Sequence, residues 1–185
     1  MDCWRISALV ACLLIASVSP SLANFVTDPG FESCPTSPPP PGWSGTGGCD
    51  TFAHTGSWSA GFEGTNTLSQ SIPTTAGTMY DFSFWVSSIN LITPNQFTAT
   101  FGADQVLDLV NTIPTTYTFE HFTVTATAAS TTITFVGTEP PLGGAWLLDD
   151  VSVTAVAAVP EPPTLGLFAV AALGLAALYR RRASS

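Results

Sequence analysis

Thr78-Met79-Tyr80-Asp81-Phe82-Ser83-Phe84-Trp85-Val86-Ser87 decides the fold. Tyr80, Phe82, Phe84 and Val86 alternate with Asp81, Ser83, Trp85 and Ser87. A period of two places the first set on one face of a strand and the second on the other. The first face is core. The second is polar apart from Trp85, and a ring standing among small hydroxyls suits stacking on a sugar. A neighbouring loop covering Trp85 is the other reading, and the strand alone does not separate the two.

The same alternation runs outward in both directions, and no helical periodicity interrupts it between Asn24 and Val159. Upstream, Asn24 to Thr27 is a short first strand that ends at Asp28-Pro29-Gly30, and Thr67 to Ile72 puts Leu68, Gln70 and Ile72 on one face. Downstream, Phe97, Ala99 and Phe101 alternate with Thr98 and Thr100, and Val106 to Leu109 makes another short strand. Tyr117 and Phe119 point one way, whereas Phe122, Val124 and Ala126 keep the opposite phase, so a bulge or bend is expected near Glu120-His121. Thr131 to Val136 turns Ile133 and Phe135 inward. The last strand, Trp146 to Val153, aligns Leu147, Asp149, Val151 and Val153. Eight or nine such strands predict an all-β jelly-roll sandwich.

Charge narrows the function. All four basic residues, Arg5 and Arg180 to Arg182, lie outside this β region. Of 13 Asp and Glu, all but Asp2 and Glu161 lie inside it, which leaves eleven carboxylates and no Lys or Arg. Such a body cannot neutralise phosphates, so nucleic acid is excluded as a partner. Carboxylates without basic partners need water or cations.

The two ends are addresses. Arg5, an apolar run from Ile6 to Val18 and Ser21-Leu22-Ala23 form a signal peptide over residues 1–23, cleaved by signal peptidase after Ala23. An uncleaved N-terminal anchor is the other reading. At the far end, Val159-Pro160-Glu161-Pro162 precedes an uncharged run from Thr164 to Tyr179 and then Arg180, Arg181 and Arg182. Sixteen helical residues at about 1.5 Å rise reach roughly 24 Å, slightly less than a hydrocarbon core of about 30 Å. Tyr179 and the arginines can make up the difference at the interface, and the arginines stay on the cytoplasmic side. The expected organisation is therefore a signal peptide at 1–23, a sandwich at 24–156 and a tail at 157–185. In the tail, the motif occupies 159–163, a single transmembrane helix 164–179 and a basic stop 180–182.

Export places Cys34 and Cys49 in an oxidising compartment, where one disulfide is expected. It closes a loop stiffened by Pro38 to Pro41. Two free thiols are the alternative.

Two resemblances follow from these motifs. Val159-Pro160-Glu161-Pro162, the apolar span and the arginine cluster resemble the PEP-CTERM sorting signal of Gram-negative bacteria. That resemblance implies an exported protein held transiently in the inner membrane, processed by an exosortase-type enzyme, and destined for the cell surface or exopolysaccharide matrix. The body resembles the galactose-binding-like jelly rolls of carbohydrate-binding modules. The motifs that carry this are Gly30-Phe31-Glu32, Gly42-Trp43, His54-Thr55-Gly56, Leu68-Ser69-Gln70, Ala76 to Trp85 and Leu148 to Val153. It implies polysaccharide as the partner and a structural calcium where the first and last strands meet. Glu32 and the Asp149-Asp150 pair stand at the matching positions. Strand parity puts Asp149 inward with Val151 and Val153; backbone N–H groups are the alternative partners for its carboxylate. Trp43, Trp58, Trp85 and Trp146 are the candidate ligand platforms.

Catalysis is not expected. Gly56-Ser57-Trp58-Ser59-Ala60-Gly61 misses the spacing of a nucleophile elbow. His54 and His121 are far apart in sequence, and no carboxylate pair stands out, Glu63 and Asp81 being one example. The competing function is a structural or adhesive surface protein without sugar specificity. Ice binding by Thr rows such as Thr98 and Thr100 is a lesser variant.

Overall fold

The alternating stretch around Phe82 is the centre of one sheet. The structure, a computed structural model, describes residues 23–34, 39–140 and 144–157; the expected signal peptide and sorting tail lie outside them. Among the described residues there are ten strands: β1 (Ser44–Gly45), β2 (Gly48–Asp50), β3 (Ser59–Phe62), β4 (Thr65–Pro73), β5 (Met79–Ile89), β6 (Gln96–Phe101), β7 (Asp104–Val110), β8 (Thr118–Thr125), β9 (Ser130–Thr138) and β10 (Ala145–Ala155). They form two five-stranded sheets of order β1-β4-β9-β6-β7 and β2-β3-β10-β5-β8. All pairings are antiparallel. The chain changes sheet at β1–β2, β3–β4, β4–β5, β5–β6, β7–β8, β8–β9 and β9–β10, which gives the sandwich its jelly-roll character. No helix among the described residues is long and apolar enough to cross a membrane.

The core follows the sequence periodicity. Tyr80, Phe82, Phe84 and Val86 of β5 are buried, as are Leu68 and Ile72 of β4, Phe97, Ala99 and Phe101 of β6, and Ile133 and Phe135 of β9. Phe135 meets Phe82, Phe84 and Phe97 with ring centroids 5.9, 5.0 and 6.2 Å apart, locking both sheets together. Gly137 of β9 permits the closest approach, since a Cβ there would sit 2.6 Å from Phe62 Cβ on the opposite sheet. Cys34 and Cys49 are joined by a disulfide.

Three expectations change. Asn24 to Thr27 forms no strand. It lies beside β10 instead, through Phe25 N–H to Val153 O at 2.9 Å and the Asn24 amide, which donates to Val151 O at 3.0 Å. The bulge expected at Glu120-His121 is absent, because β8 pairs with β5 without a break from Met79↔Thr125 to Val86↔Thr118. Both faces of β8 carry aromatic residues, and that doubled pattern mimics a slip in register. The bulge lies in β10, where Asp149 pairs with Trp85 but Ser152 pairs with Ser83. Three steps along β10 match two along β5, with Asp150 at φ 48° absorbing the extra residue.

That bulge reverses the parity assigned to Asp149. Before it, Trp146 and Leu148 face the core; after it, Val151 and Val153 do. Asp149 therefore shares a face with Trp85 on the outside of the sheet, and not with Val151 and Val153.

Candidate functional site

Asp149 is on an outer sheet face and yet has no exposed surface. The loop between β2 and β3 covers it. His54 N–H and Thr55 N–H donate to Asp149 Oδ2 at 2.7 and 3.1 Å, and Asp150 N–H donates to Oδ1 at 2.7 Å. Asp150 holds the same loop by side chains: its Oδ2 lies 2.7 Å from His54 Nδ1, and Thr55 Oγ1 donates to its Oδ1 at 2.6 Å. An ionised carboxylate only accepts, so His54 Nδ1 is the donor in this contact. Glu32 completes the clamp, its Oε1 accepting from Ser57 N–H at 2.9 Å and Trp58 N–H at 3.0 Å. Glycine is required at Gly56, where φ is 69° and a Cβ would strike the Glu32 carboxylate.

The three acidic residues singled out by motif thus meet at one corner, as loop clamps. Among the described residues, no three His, Cys, Asp or Glu side chains are arranged to hold a metal ion. The oxygens that calcium would take are largely occupied by N–H and O–H donors. Burial raises the Asp149 carboxyl to about 6 despite the N–H donors that lower it, and the neighbouring Asp150 charge adds to the rise.

The clamp has a consequence on the sheet surface. It lays the His54 ring flat on Trp85, with centroids 3.9 Å apart and planes at 17°. From Trp85 the row continues to its cross-strand partner Phe119 at 5.2 Å, and then to His121 at 6.2 Å. Tyr117 approaches His54 edge-on at 5.3 Å and donates its hydroxyl to Phe52 O at 2.6 Å, tying down the start of the loop. Burial is the main cause that pushes the Tyr117 hydroxyl well above its ordinary range, so it stays a donor. Phe119 is 51% and Phe52 58% exposed. His121 Nε2 lies 3.3 Å from Asp81 Oδ1 at the far end of the row. The result is a line of four rings on one face of the β5–β8 ladder, flanked by hydrogen-bonding carboxylates at Asp150 and Asp81.

The four tryptophans separate. Trp146 is fully buried between the sheets, and Trp43, 5% exposed, packs on Phe31 and Phe135, so neither offers a face to a ligand. Trp58 is half-buried against the core beside the Glu32 clamp. Trp85 alone joins the row. Phe119, His54 and His121 were missed as site residues by sequence reasoning; the signal was the unbroken odd-numbered run Tyr117, Phe119, His121. Glu63 and Asp81 do not form a catalytic pair. Phe62 is level with Ser88 through Trp146, seven residues along β5 from Asp81, or roughly 23 Å at the usual strand rise. A glycosidase pair stands within about 10 Å.

Comparison with known proteins agrees with this architecture. Residues 158–182 match the PEP-CTERM protein-sorting motif, which implies export and sorting to the surface. No curated protein sequence matches the chain. A solved family-61 module, TmCBM61 in complex with β-1,4-galactotriose, is 19% identical with a TM-score of 0.57, covering 72% of this chain and 99% of that one. The C-terminal family 22 carbohydrate-binding module of Clostridium thermocellum Xyn10B is 12% identical with a TM-score of 0.53, covering 72% and 99%. The enzymatically active domain of bacteriophage CBA120 tailspike protein 4 is 14% identical with a TM-score of 0.53, covering 72% of this chain but 21% of that one. At these identities the likeness is one of fold: the body has the jelly-roll sandwich of carbohydrate-binding modules.

Proposed function

We propose that this chain is an exported surface protein that binds polysaccharide, without catalysis, on the ring row His54–Trp85–Phe119–His121. The observation that carries this is the row itself. Sugar rings present apolar C–H faces and hydroxyl rims, and a row of flat side chains bordered by carboxylates matches both. The sorting motif and the fold shared with carbohydrate-binding modules support the same reading. The exopolysaccharide of the producing cell is the proposed ligand, an exosortase-type enzyme the proposed processing partner, and the signal peptide and apolar tail the proposed route through the inner membrane. A structural or adhesive role without sugar specificity is the second reading. It is favoured by the partial cover that His54 places over Trp85.

The test is retention of the full chain, in detergent micelles, on a polysaccharide array that includes the producing cell's own matrix. Binding that falls at least tenfold in Trp85→Ala supports the proposal. No retention on any glycan sinks it and leaves the structural role.

For the Glu32–Asp149–Asp150 corner, we propose that backbone N–H groups, and not calcium, supply the essential partners. Five backbone N–H donors, those of His54, Thr55, Ser57, Trp58 and Asp150, support this, with side-chain contacts from His54 and Thr55 beside them.

A further inference from the structure

The charge around the ring row has one sign. Along β5 the outer face runs from Trp85 through Ser83 to Asp81, since residues two apart share a face of a strand. Ser83 stands between His121 on β8 and Ser152 on β10. The two serines leave a low step between the indole and the Asp81 carboxylate, which are four residues apart, or roughly 13 Å along the strand. A polymer that stacks on Trp85 and Phe119 and runs on past His121 therefore reaches Asp81.

Asp81 is the accessible acid of the row, with 40% of its side chain exposed. Thr123 Oγ1 donates to its Oδ1 at 3.3 Å, and His121 Nε2 lies 3.3 Å from the same oxygen. Both contacts fall on Oδ1; among the described residues Oδ2 has no hydrogen-bond partner. At the other end of the row, Asp150 holds the His54 ring and is itself partly exposed. The charges of Asp149, Asp50 and Asp150 all reach Tyr117, where, after burial, they add to the upward push on its hydroxyl. No Lys or Arg offsets them, because the sequence from Asn24 to Val159 contains none. The rings add to the same preference, since the faces of Trp and Phe attract cations. An anionic sugar stacked here would face carboxylates alone, whereas a cationic sugar finds an ion-pair partner and a favourable ring face.

We propose that the ring row selects polysaccharide with free amino groups, that is, amino-sugar residues that are not N-acetylated, and that Asp81 Oδ2 receives the ammonium group. This ligand class rests on the sugar-binding reading of the row and narrows it. The other acids of the body draw a cationic polymer in from a distance, and Asp81 makes the local choice.

The experiment is calorimetry of the full chain in uncharged detergent micelles with two oligosaccharides of one length and linkage, the β-1,4-linked glucosamine hexamer and its N-acetylated counterpart. The free-amine oligomer is expected to bind about tenfold more tightly at about 20 mM salt, and about threefold more tightly at about 200 mM, as screening of exposed charges requires. Asp81→Asn keeps the shape and an acceptor for Thr123, and it is expected to narrow the low-salt ratio about threefold. Asp104→Asn, at the exposed start of β7 on the other sheet, is expected to leave the ratio as it is. Equal affinities overturn the amino-sugar choice; if Trp85→Ala then abolishes both, the sugar-binding reading stands. A ratio unmoved by Asp81→Asn, or moved as much by Asp104→Asn, also overturns it, since the preference would then belong to the field of the whole body. If neither oligomer binds while another glycan does, the amino-sugar choice falls alone. If no glycan binds, the choice and the sugar-binding reading fall together.

Discussion

The His54 imidazole lies on the Trp85 indole with ring centroids 3.9 Å apart, while its Nδ1 is 2.7 Å from Asp150 Oδ2. The stack is thus oriented from behind by a carboxylate that belongs to the β10 bulge. Replacing His54 by Ala removes a ring from the row and one anchor of the loop, and exposes the indole face. If polysaccharide spans the row, affinity falls by about two- to twelvefold, the worth of one aromatic contact of about 0.5–1.5 kcal/mol. If the ligand stacks on Trp85 alone, affinity rises as its face is uncovered. Calorimetry with the glycan retained on the array distinguishes the two, and the continuous ring contacts favour the first.

Acid is expected to stabilise this protein. The Asp149 carboxyl is raised by burial to about 6 from an ordinary value of 3.8, so the folded state holds its proton more tightly than the unfolded state. The contribution is fully present below about pH 4 and is lost as pH rises through about 6. Glu120, raised by burial, acts in the same direction. The unfolding midpoint should therefore climb by roughly 5 °C between pH 7.5 and pH 4.5. Asp149→Asn lowers the midpoint at all pH values, because an amide nitrogen faces N–H donors, but it should also flatten most of the slope. An unchanged slope in that variant would assign the acid stabilisation elsewhere.

Much of the sandwich was legible because burial acts on every second side chain. Tyr80 to Val86, Phe97 to Phe101, and Ile133 with Phe135 all occupy the faces their alternation indicates. What alternation cannot show is an inserted residue. Asp149 and Val151 share a parity in sequence but not in space, since the extra residue at the β10 bulge intervenes. For the same reason the contacts of the 54–58 loop with Asp149 and Asp150 were not legible, since the loop reaches them from about 95 residues away with no local signature. Trp43 and Trp146 show the converse limit. Composition marks a tryptophan as a candidate platform, and only the packing of both sheets reveals which ones are core.

The Cys34–Cys49 disulfide joins the Glu32 segment to β2, directly before the covering loop. A closed loop with a sequence separation of 15 is worth about 3 kcal/mol in the chain-entropy account. Cys34→Ser with Cys49→Ser should lower the unfolding midpoint by about 10 °C. Dithiothreitol should produce the same fall in the unaltered chain and none in the double variant. The glycan affinity of the variant at 20 °C should stay within about threefold, because the ring row is held by the Asp149 and Asp150 contacts rather than by the disulfide.

Gly56 offers the sharpest test of the clamp. At φ 69° it pays no steric penalty that an alanine would, and the space where a Cβ would stand is filled by the Glu32 carboxylate. Gly56→Ala therefore combines a strained backbone with expulsion of Glu32, leaving Ser57 N–H and Trp58 N–H without their acceptor. A loss of about 2–4 kcal/mol in unfolding free energy is expected. Glu32→Ala removes the same acceptor without the backbone strain and should cost about half as much. If the two residues act through one contact, the double variant loses less than the sum of the singles by about 1 kcal/mol. Strict additivity in that cycle would show that Gly56 matters for its backbone alone, and that the carboxylate of Glu32 does not hold the loop.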